Sequence, residues 1–391
     1  MWIILIIYLF ILSIYLSIKI GFKNYKINIK ELIKRDKTSL FLTLGTKIGV
    51  GSLIGTISSI LIGGFSSVIW IILFSILSTS IIYFESYFGN KYSYNGRGGP
   101  YFIFKIGLNN KILSIISLLL TIIIYCYLFQ MIQFNTMSYI LINTLNISKI
   151  LIVILSIFIL LITTSLSYKN ILNIMNRIVP YMCIIFIVIC SYIIINNIMF
   201  IDLSIFIKDI ISIKSILIGL IIGVKRSIFM NEILIGTTSV GAASDKNDIN
   251  ISTKYQILCV FFISIIVTLL ITCLLIIYIK QGYIINDDYN LLISNMFNIF
   301  LGKFGIYFLS IIYLLFGFTT VLSGYYIGIS SLEYINNKTI ILFKMLFIVS
   351  CVLGIIYSSN IIWKYTDILI FIMIIINSYS IIKLVMKDDW K

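Results

Sequence analysis

Residues 45–55 read Gly-Thr-Lys-Ile-Gly-Val-Gly-Ser-Leu-Ile-Gly, which places four glycines and Lys47 inside a stretch otherwise apolar enough to cross a bilayer. An ordinary spanning helix has no use for such a pattern. In hydrocarbon every backbone N–H and C=O must be satisfied internally, so a glycine-loosened break is tolerated only where it packs in protein or lines a water-filled cavity. Broken helices of this kind are where membrane transport proteins hold their cargo.

The rest of the chain agrees with a membrane setting. Its 391 residues are 60% hydrophobic and 11% charged, with a mean hydropathy of +1.12, far from a soluble globular domain. The net charge of +15 accompanies an excess of Ile, Lys, Asn and Tyr, the bias of an AT-rich genome, so it does not point to nucleic acid. Six cysteines lie in apolar segments without a Cys-x-x-Cys pair and read as small core hydrophobes. Histidine is absent, which removes the commonest general base and metal ligand. With no deep pair of aspartates either, a membrane-embedded enzyme is excluded, and neither a cofactor nor a metal other than a coupling ion is expected. Residues 1–20 lack the basic start and small-residue cleavage site of a signal peptide and read as a retained span.

Runs of the length needed to cross a bilayer number eleven: 2–20, 39–62, 65–88, 111–144, 148–166, 178–197, 210–240, 255–280, 304–330, 339–357 and 362–385. The run 210–240 contains Lys225, Arg226, Asn231 and Glu232 and reads as two half-helices, while 111–144 is long enough to tilt. Polar stretches at 21–38 and 281–303 read as loops. Threading alternate loops to opposite sides puts 22 of the 29 basic residues, Lys225 and Arg226 among them, on the side of the C-terminus. The other side receives Lys149, Lys208, Lys214, Lys280, Lys303 and Lys364. The positive-inside rule then sets the C-terminus in the cytoplasm and the N-terminus outside, in the cell membrane. The expected fold class is an all-α polytopic membrane protein forming a single domain. A first span and linker (1–38) precede two sets of five helices, 39–197 and 198–391, each opened by an interrupted helix as in an inverted repeat.

In the first interruption Gly45, Gly49 and Gly51 permit backbone positions that other residues resist, so carbonyls can turn toward a cation and amides toward an anion. A half-helix N-terminus favours a carboxylate. The bland reading of the same glycines is close helix packing, since Gly45/Gly49 and Gly51/Gly55 have GxxxG spacing. Lys47 either snorkels to the cytoplasmic surface, joins an ion pair or touches the ligand. Thr319 and Thr320 either face a cation or bond back to their own helix. For Glu232 the nearest candidate partner is Lys225 or Arg226, one to two turns earlier. Glu85 and Asp367 read as solvated or locally capped charges near span ends. In Arg97-Gly98-Gly99-Pro100 the glycines allow a tight re-entry and Pro100 can start a helix.

Several segments together carry a resemblance. GTKIGVGSLIGTISSILIGGFSSVIWIILFS (45–75), GRGGPYFIFKIGL (96–108), IVPYM (178–182), GVKRSIFMNEILIGTTSVGAAS (223–244), LFGFTTVLSGYYIG (315–328) and WKYTDILIFIMIIIN (363–377) occur in order across nearly the whole chain. They resemble the alanine/glycine:cation symporter family, which couples uptake of small neutral amino acids to sodium. The resemblance implies a LeuT-type fold, an amino acid and Na+ as partners within the lipid bilayer, and no nucleic acid. It also implies that the substrate meets Thr46, Gly49, Val50, Gly51 and Ser52, with the backbone at Gly49, Val50 and Gly51 facing its carboxylate. The sodium ion would lie among the carbonyls of Gly45 and Ile48 and the hydroxyls of Thr319 and Thr320. Lys47, Arg97, Asn231, Glu232 and Asp367 would serve structure or gating.

The chain departs from the family pattern at Ser52, where an asparagine is expected, and at Met230, Ile233 and Leu234, where small residues are expected and nearby space would be reshaped. Those departures define the alternative reading, a diverged member coupled to protons or acting as an inactive sensor or scaffold.

Overall fold

The computed structural model describes residues 2–22, 27–202, 204, 205, 207, 209, 212–285, 288–332, 339–357 and 359–387. Of the basic residues used for threading, Lys23, Lys26, Lys208, Lys338 and Lys391 lie outside the described residues. Helices follow one another with short connections, as the need to satisfy the backbone in hydrocarbon requires. The order is α1 (Trp2–Lys19), α2 (Ile29–Ile33), α3 (Thr38–Lys47), α4 (Val50–Gly63), α5 (Ser66–Lys91) and α6 (Pro100–Phe102). Then come α7 (Lys111–Leu145), α8 (Lys149–Ser165), α9 (Tyr168–Asn196), α10 (Ile213–Asn231), α11 (Thr237–Ala242) and α12 (Ile249–Lys280). The chain ends with α13 (Tyr289–Leu301), α14 (Lys303–Leu332), α15 (Ile340–Ile356) and α16 (Ser359–Lys387).

Among the described residues seven helices are long and apolar enough to cross a membrane, or eight if the bent pair α3–α4 counts as one span. The chain is thus a multi-pass membrane protein. The expected runs at 148–166 and 339–357 appear as apolar helices of 17 residues, at the short end of the length that crosses a bilayer. The run 210–240 is divided, α10 ending at Asn231 and α11 resuming at Thr237 for six residues. Both polar stretches read as loops contain a helix, α2 in 21–38 and α13 in 281–303. In α13 the Asp288 carboxylate caps the N-terminus by accepting from the Asn290 and Leu291 amides, a short-range signal at Asp288. Pro100 occupies the first turn of α6 as expected.

The two interruptions differ in build. Between α3 and α4 only Ile48 and Gly49 leave the helix, and the axis bends by 50°. Between α10 and α11 the chain turns through Glu232, Leu234 and Gly236, all with positive φ. Such conformations strain a residue with a β-carbon by about 1–3 kcal/mol, so something must hold Glu232 and Leu234 there. The Glu85 carboxylate of α5 does so for Leu234, accepting its amide at 2.9 Å and that of Gly236 at 3.0 Å. Asn377 of α16 donates to the Leu234 carbonyl at 2.7 Å. Glu85 is therefore buried (2% exposed) and committed to the break, not solvated at a helix end.

A second polar knot binds α10 to α5 and α12. Asn231 Nδ2 donates to Ser75 Oγ and Ser264 Oγ, each at 2.8 Å, while Ser264 returns its hydroxyl to Asn231 Oδ1 at 3.0 Å. Ser75 and Ser227 hydroxyls pair at 2.7 Å. Ser264 lies in a π-helical turn, residues 262–267 of α12, the kind of local widening that re-aims a side chain.

One part of the threading is corrected. Lys225 Nζ lies 4.9 Å from the centre of the Trp2 ring at the start of α1, so Lys225 sits at the N-terminal end of that helix and not with the C-terminal basic side. It pairs there with Asp367 of α16 at 2.5 Å, so Asp367 is neither solvated nor locally capped. An apolar surround lets a lysine persist at this depth only because the carboxylate and rings accompany it.

Replacing Asn231 by Ala should lower stability in detergent by about 1–3 kcal/mol, because the buried Ser264 hydroxyl loses its Asn231 partner and Ser75 keeps only Ser227. In a cycle with Ser264→Ala the losses should fall short of additive; strict additivity in thermal unfolding would show that the knot does not act as a unit.

Candidate functional site

The two breaks face a common cavity. It is lined by Thr46, Lys47, Gly49, Gly51 and Ser52 from α3–α4 and by Arg226, Phe229, Met230 and Glu232 from α10 and its end. Phe129, Ile132 and Gln133 of α7, Thr320 of α14 and Trp363 of α16 complete the wall.

Polarity at the first break follows from the helix ends. The first amides of α4 have no partner within their own helix, and Gly49 at the N-cap offers no side chain to fill the role. Ser52 instead donates to the Gly49 carbonyl at 2.7 Å. On the other side, Thr320 Oγ1 donates toward the Gly45 carbonyl at 3.0 Å and toward the Phe316 carbonyl at 2.9 Å. The amide-bearing end of α4 and the carbonyl-bearing end of α3 thus lie within one cavity wall. An anion suits the first and a hard cation suits the second.

Glycine acts here through absence of bulk. None of Gly45, Gly49 and Gly51 has a positive φ, contrary to the conformational role expected for them. A β-carbon on Gly49 would stand 2.7 Å from Gln133 Nε2 and 3.1 Å from Thr320 Oγ1, and one on Gly45 would stand 2.0 Å from Met175 Cε. At Gly55 it would strike the Arg226 guanidinium, 1.6 Å from Cζ. Gly51 alone of these faces open space. Close packing therefore explains Gly45, Gly49 and Gly55, and Gly51 keeps the cavity clear.

Charged groups line the cavity without pairing to one another. Lys47 is 4% exposed and does not snorkel; its Nζ contacts Thr238 Oγ1 at 3.4 Å. Arg226 donates to the Gly51 carbonyl, and its Nε has no hydrogen-bond partner. Glu232 is 3% exposed with Oε2 unpartnered. Lys225 and Arg226 do not serve as its partners, because one is held by Asp367 and the other by Gly51. The helix ends at Asn231, and the left-handed turn at Glu232 takes its side chain off the helical row that would have stacked the three.

Of the expected site residues, the structure brings Thr46, Gly49, Gly51, Ser52, Lys47, Glu232 and Thr320 to the cavity wall. Gly45 is joined to it through Thr320, while Ile48 and Val50 are buried at the break. Thr319 donates to its own helix at the Phe316 carbonyl and lies against Met182 Sδ at 3.7 Å. Asn231 and Asp367 sit apart from the wall in the knot and ion pair already described. Arg97 lies farther off, its guanidinium 4.4 Å from the centre of the Tyr168 ring. Of the larger residues at 230–234, Met230 lines the cavity, while Ile233 and Leu234 are fully buried and do not line it. Gln133 was missed, although a glutamine within an apolar span is itself a signal of function.

Ala at Gly51 should be neutral or stabilise by up to about 1 kcal/mol. Ala at Gly55 should destabilise by about 1–3 kcal/mol through overlap with the guanidinium. Thermal unfolding of both variants checks the contrast, and equal effects would contradict the packing assigned to Arg226.

Comparison with known proteins accords with this geometry. The sodium:alanine symporter family matches residues 1–388. An uncharacterized transporter of Haemophilus influenzae is 25% identical over 370 residues, covering 87% of this chain and 75% of its own. The amino-acid carrier protein AlsT of Bacillus subtilis is 24% identical over 353 residues, covering 87% and 75%. A protein described as a probable sodium/glutamine symporter, GlnT, from the same organism is 23% identical over 413 residues, covering 96% and 84%. A cavity at two helix breaks and a family match along almost its whole length show that this chain belongs to the sodium:alanine symporter family, carriers and not enzymes.

Proposed function

We propose that this chain carries a small neutral amino acid, alanine or glycine, into the cell together with sodium by alternating access. The observation that carries the reading is the pairing, in one cavity wall, of the α4 N-terminus with the Thr320–Gly45 contact. The first suits a carboxylate. The second offers oxygen ligands to a hard monovalent cation without a buried carboxylate. Beside Lys47, Gln133, Arg226 and Glu232, the wall carries Phe129, Ile132, Phe229, Met230 and Trp363, an apolar part that favours a short uncharged side chain.

In this reading the substrate carboxylate meets the amides at Gly49, Val50 and Gly51, with Thr46 and Ser52 beside it. Sodium sits among Gly45, Ile48, Thr319 and Thr320. Lys47, Arg97, Asn231, Glu232 and Asp367 shape and gate the path. The helices form eleven crossings, arranged as α1 followed by two inverted sets of five in a LeuT-type fold, in the cell membrane with the N-terminus outside. The cavity is bounded by Phe229 and Trp363, whose rings stand 5.7 Å apart, with Trp2 against Phe229. That end is the outer one in this topology. Moving one charge down 100 mV releases about 2.3 kcal/mol, enough for roughly 50-fold accumulation.

Labelled alanine or glycine should accumulate in proteoliposomes under an inward sodium gradient. Equal uptake with potassium in its place would exclude sodium coupling. Thr320→Val should raise the sodium concentration for half-maximal uptake at least tenfold, and by more than Thr319→Val, since only Thr320 reaches Gly45.

A further inference from the structure

We infer that Glu232 receives the ammonium group of the amino acid, so that the cavity selects a protonated amine as well as a carboxylate. The inference rests on the amino-acid reading above and assigns the end of the ligand that reading leaves open.

The two carboxylates near the second break have different employment. Both oxygens of Glu85 accept backbone amides, from Leu234 and Gly236, and Glu85 is absent from the cavity wall. Glu232 lines the cavity, is only 3% exposed, and keeps Oε2 without a hydrogen-bond partner. A buried carboxylate in this state is unfavourable until a cation or donor completes it. Among the described residues none of the nearby cations lies at ion-pair distance from it: Lys225 pairs with Asp367, Arg226 bonds to the Gly51 carbonyl, and Lys47, whose charge attracts Glu232 from farther off, contacts Thr238.

The surroundings suit an ammonium rather than a bare metal ion. Hydroxyls of Thr46, Thr237 and Tyr125 stand around the Glu232 carboxyl, and Tyr125 donates to Thr237 at 3.2 Å. They can orient the carboxylate and take up the ammonium's other hydrogens. The same cavity wall also carries the α4 N-terminus and the Arg226 guanidinium, so an amino acid held there can offer its carboxylate to these groups and its ammonium to Glu232. The strained left-handed backbone at Glu232 (φ 51°) is what turns its side chain from the α10 surface toward that space.

The test measures binding to the purified full-length chain in sodium buffer by calorimetry, using alanine, its deaminated counterpart propionate, and glycine beside its trimethylated form betaine. In the unaltered protein alanine should bind at least 100-fold more tightly than propionate, and betaine should fail to compete with glycine. In Glu232→Gln the alanine-to-propionate ratio should fall below about fivefold, with partial recovery in Glu232→Asp. A purely structural role would weaken both ligands together and leave the ratio unchanged, which would overturn the inference. Equal binding of propionate and alanine to the unaltered protein would overturn it as well, without need of a folded variant. Binding of no amino acid at all would bring down the transport reading and this inference together, whereas binding with an unchanged ratio removes this inference alone.

Discussion

The contact on which the structure most depends is the Glu85 carboxylate clasping the amides of Leu234 and Gly236. A backbone that leaves the helix inside a bilayer frees amides and carbonyls that hydrocarbon cannot satisfy. At the second break those groups are taken up by side chains of α5 and α16, Glu85 and Asn377. At the first break Thr320 and Arg226 take up the carbonyls of Gly45 and Gly51. Each interruption is therefore held by helices other than its own, which fixes both breaks against one cavity.

This division leaves a clear distinction between polar groups that hold the fold and those that remain open to a ligand. The Asn231 knot satisfies both ends of its amide with serines on α5, α10 and α12, and the Lys225–Asp367 pair ties α10 to α16 beneath Trp2. In the cavity, by contrast, Glu232 Oε2, Arg226 Nε and Gln133 Oε1 are left without hydrogen-bond partners. Atoms without partners also occur elsewhere, Asn377 Oδ1 among them, but these three line one cavity, where an incoming molecule can complete them.

Much of this was legible in the residues, and the failures share a cause. Four glycines and a lysine within an apolar run located the first break, and the charges of 225–232 showed that 210–240 could not be one plain span. What could not be read were partners far apart in the chain. Leu234 lies 149 residues from Glu85, and Asp367 lies 142 from Lys225, so neither carboxylate could be matched from local spacing. Of the two readings the glycines allow, close packing holds at Gly45, Gly49 and Gly55, but the partners that set their space, Met175, Gln133 and Arg226, come from other helices. Lys225 was threaded to the wrong end because loop counting treats a charge in a broken helix as a loop residue; the ring of Trp2 beside it shows otherwise. Of the changed residues at 230–234, Met230 lines the cavity, and Ile233 and Leu234 are buried without lining it.

The central claim is that two helix breaks build a single site in which cation and amino acid support each other. Its most direct test is reciprocal binding: the affinity for alanine as sodium is varied, and the affinity for sodium as alanine is varied, on the same purified protein. The account predicts that each ligand tightens the other by the same factor, between about 5-fold and 150-fold, as linkage requires of coupled sites. Alanine binding indifferent to sodium, with sodium binding indifferent to alanine, would contradict it.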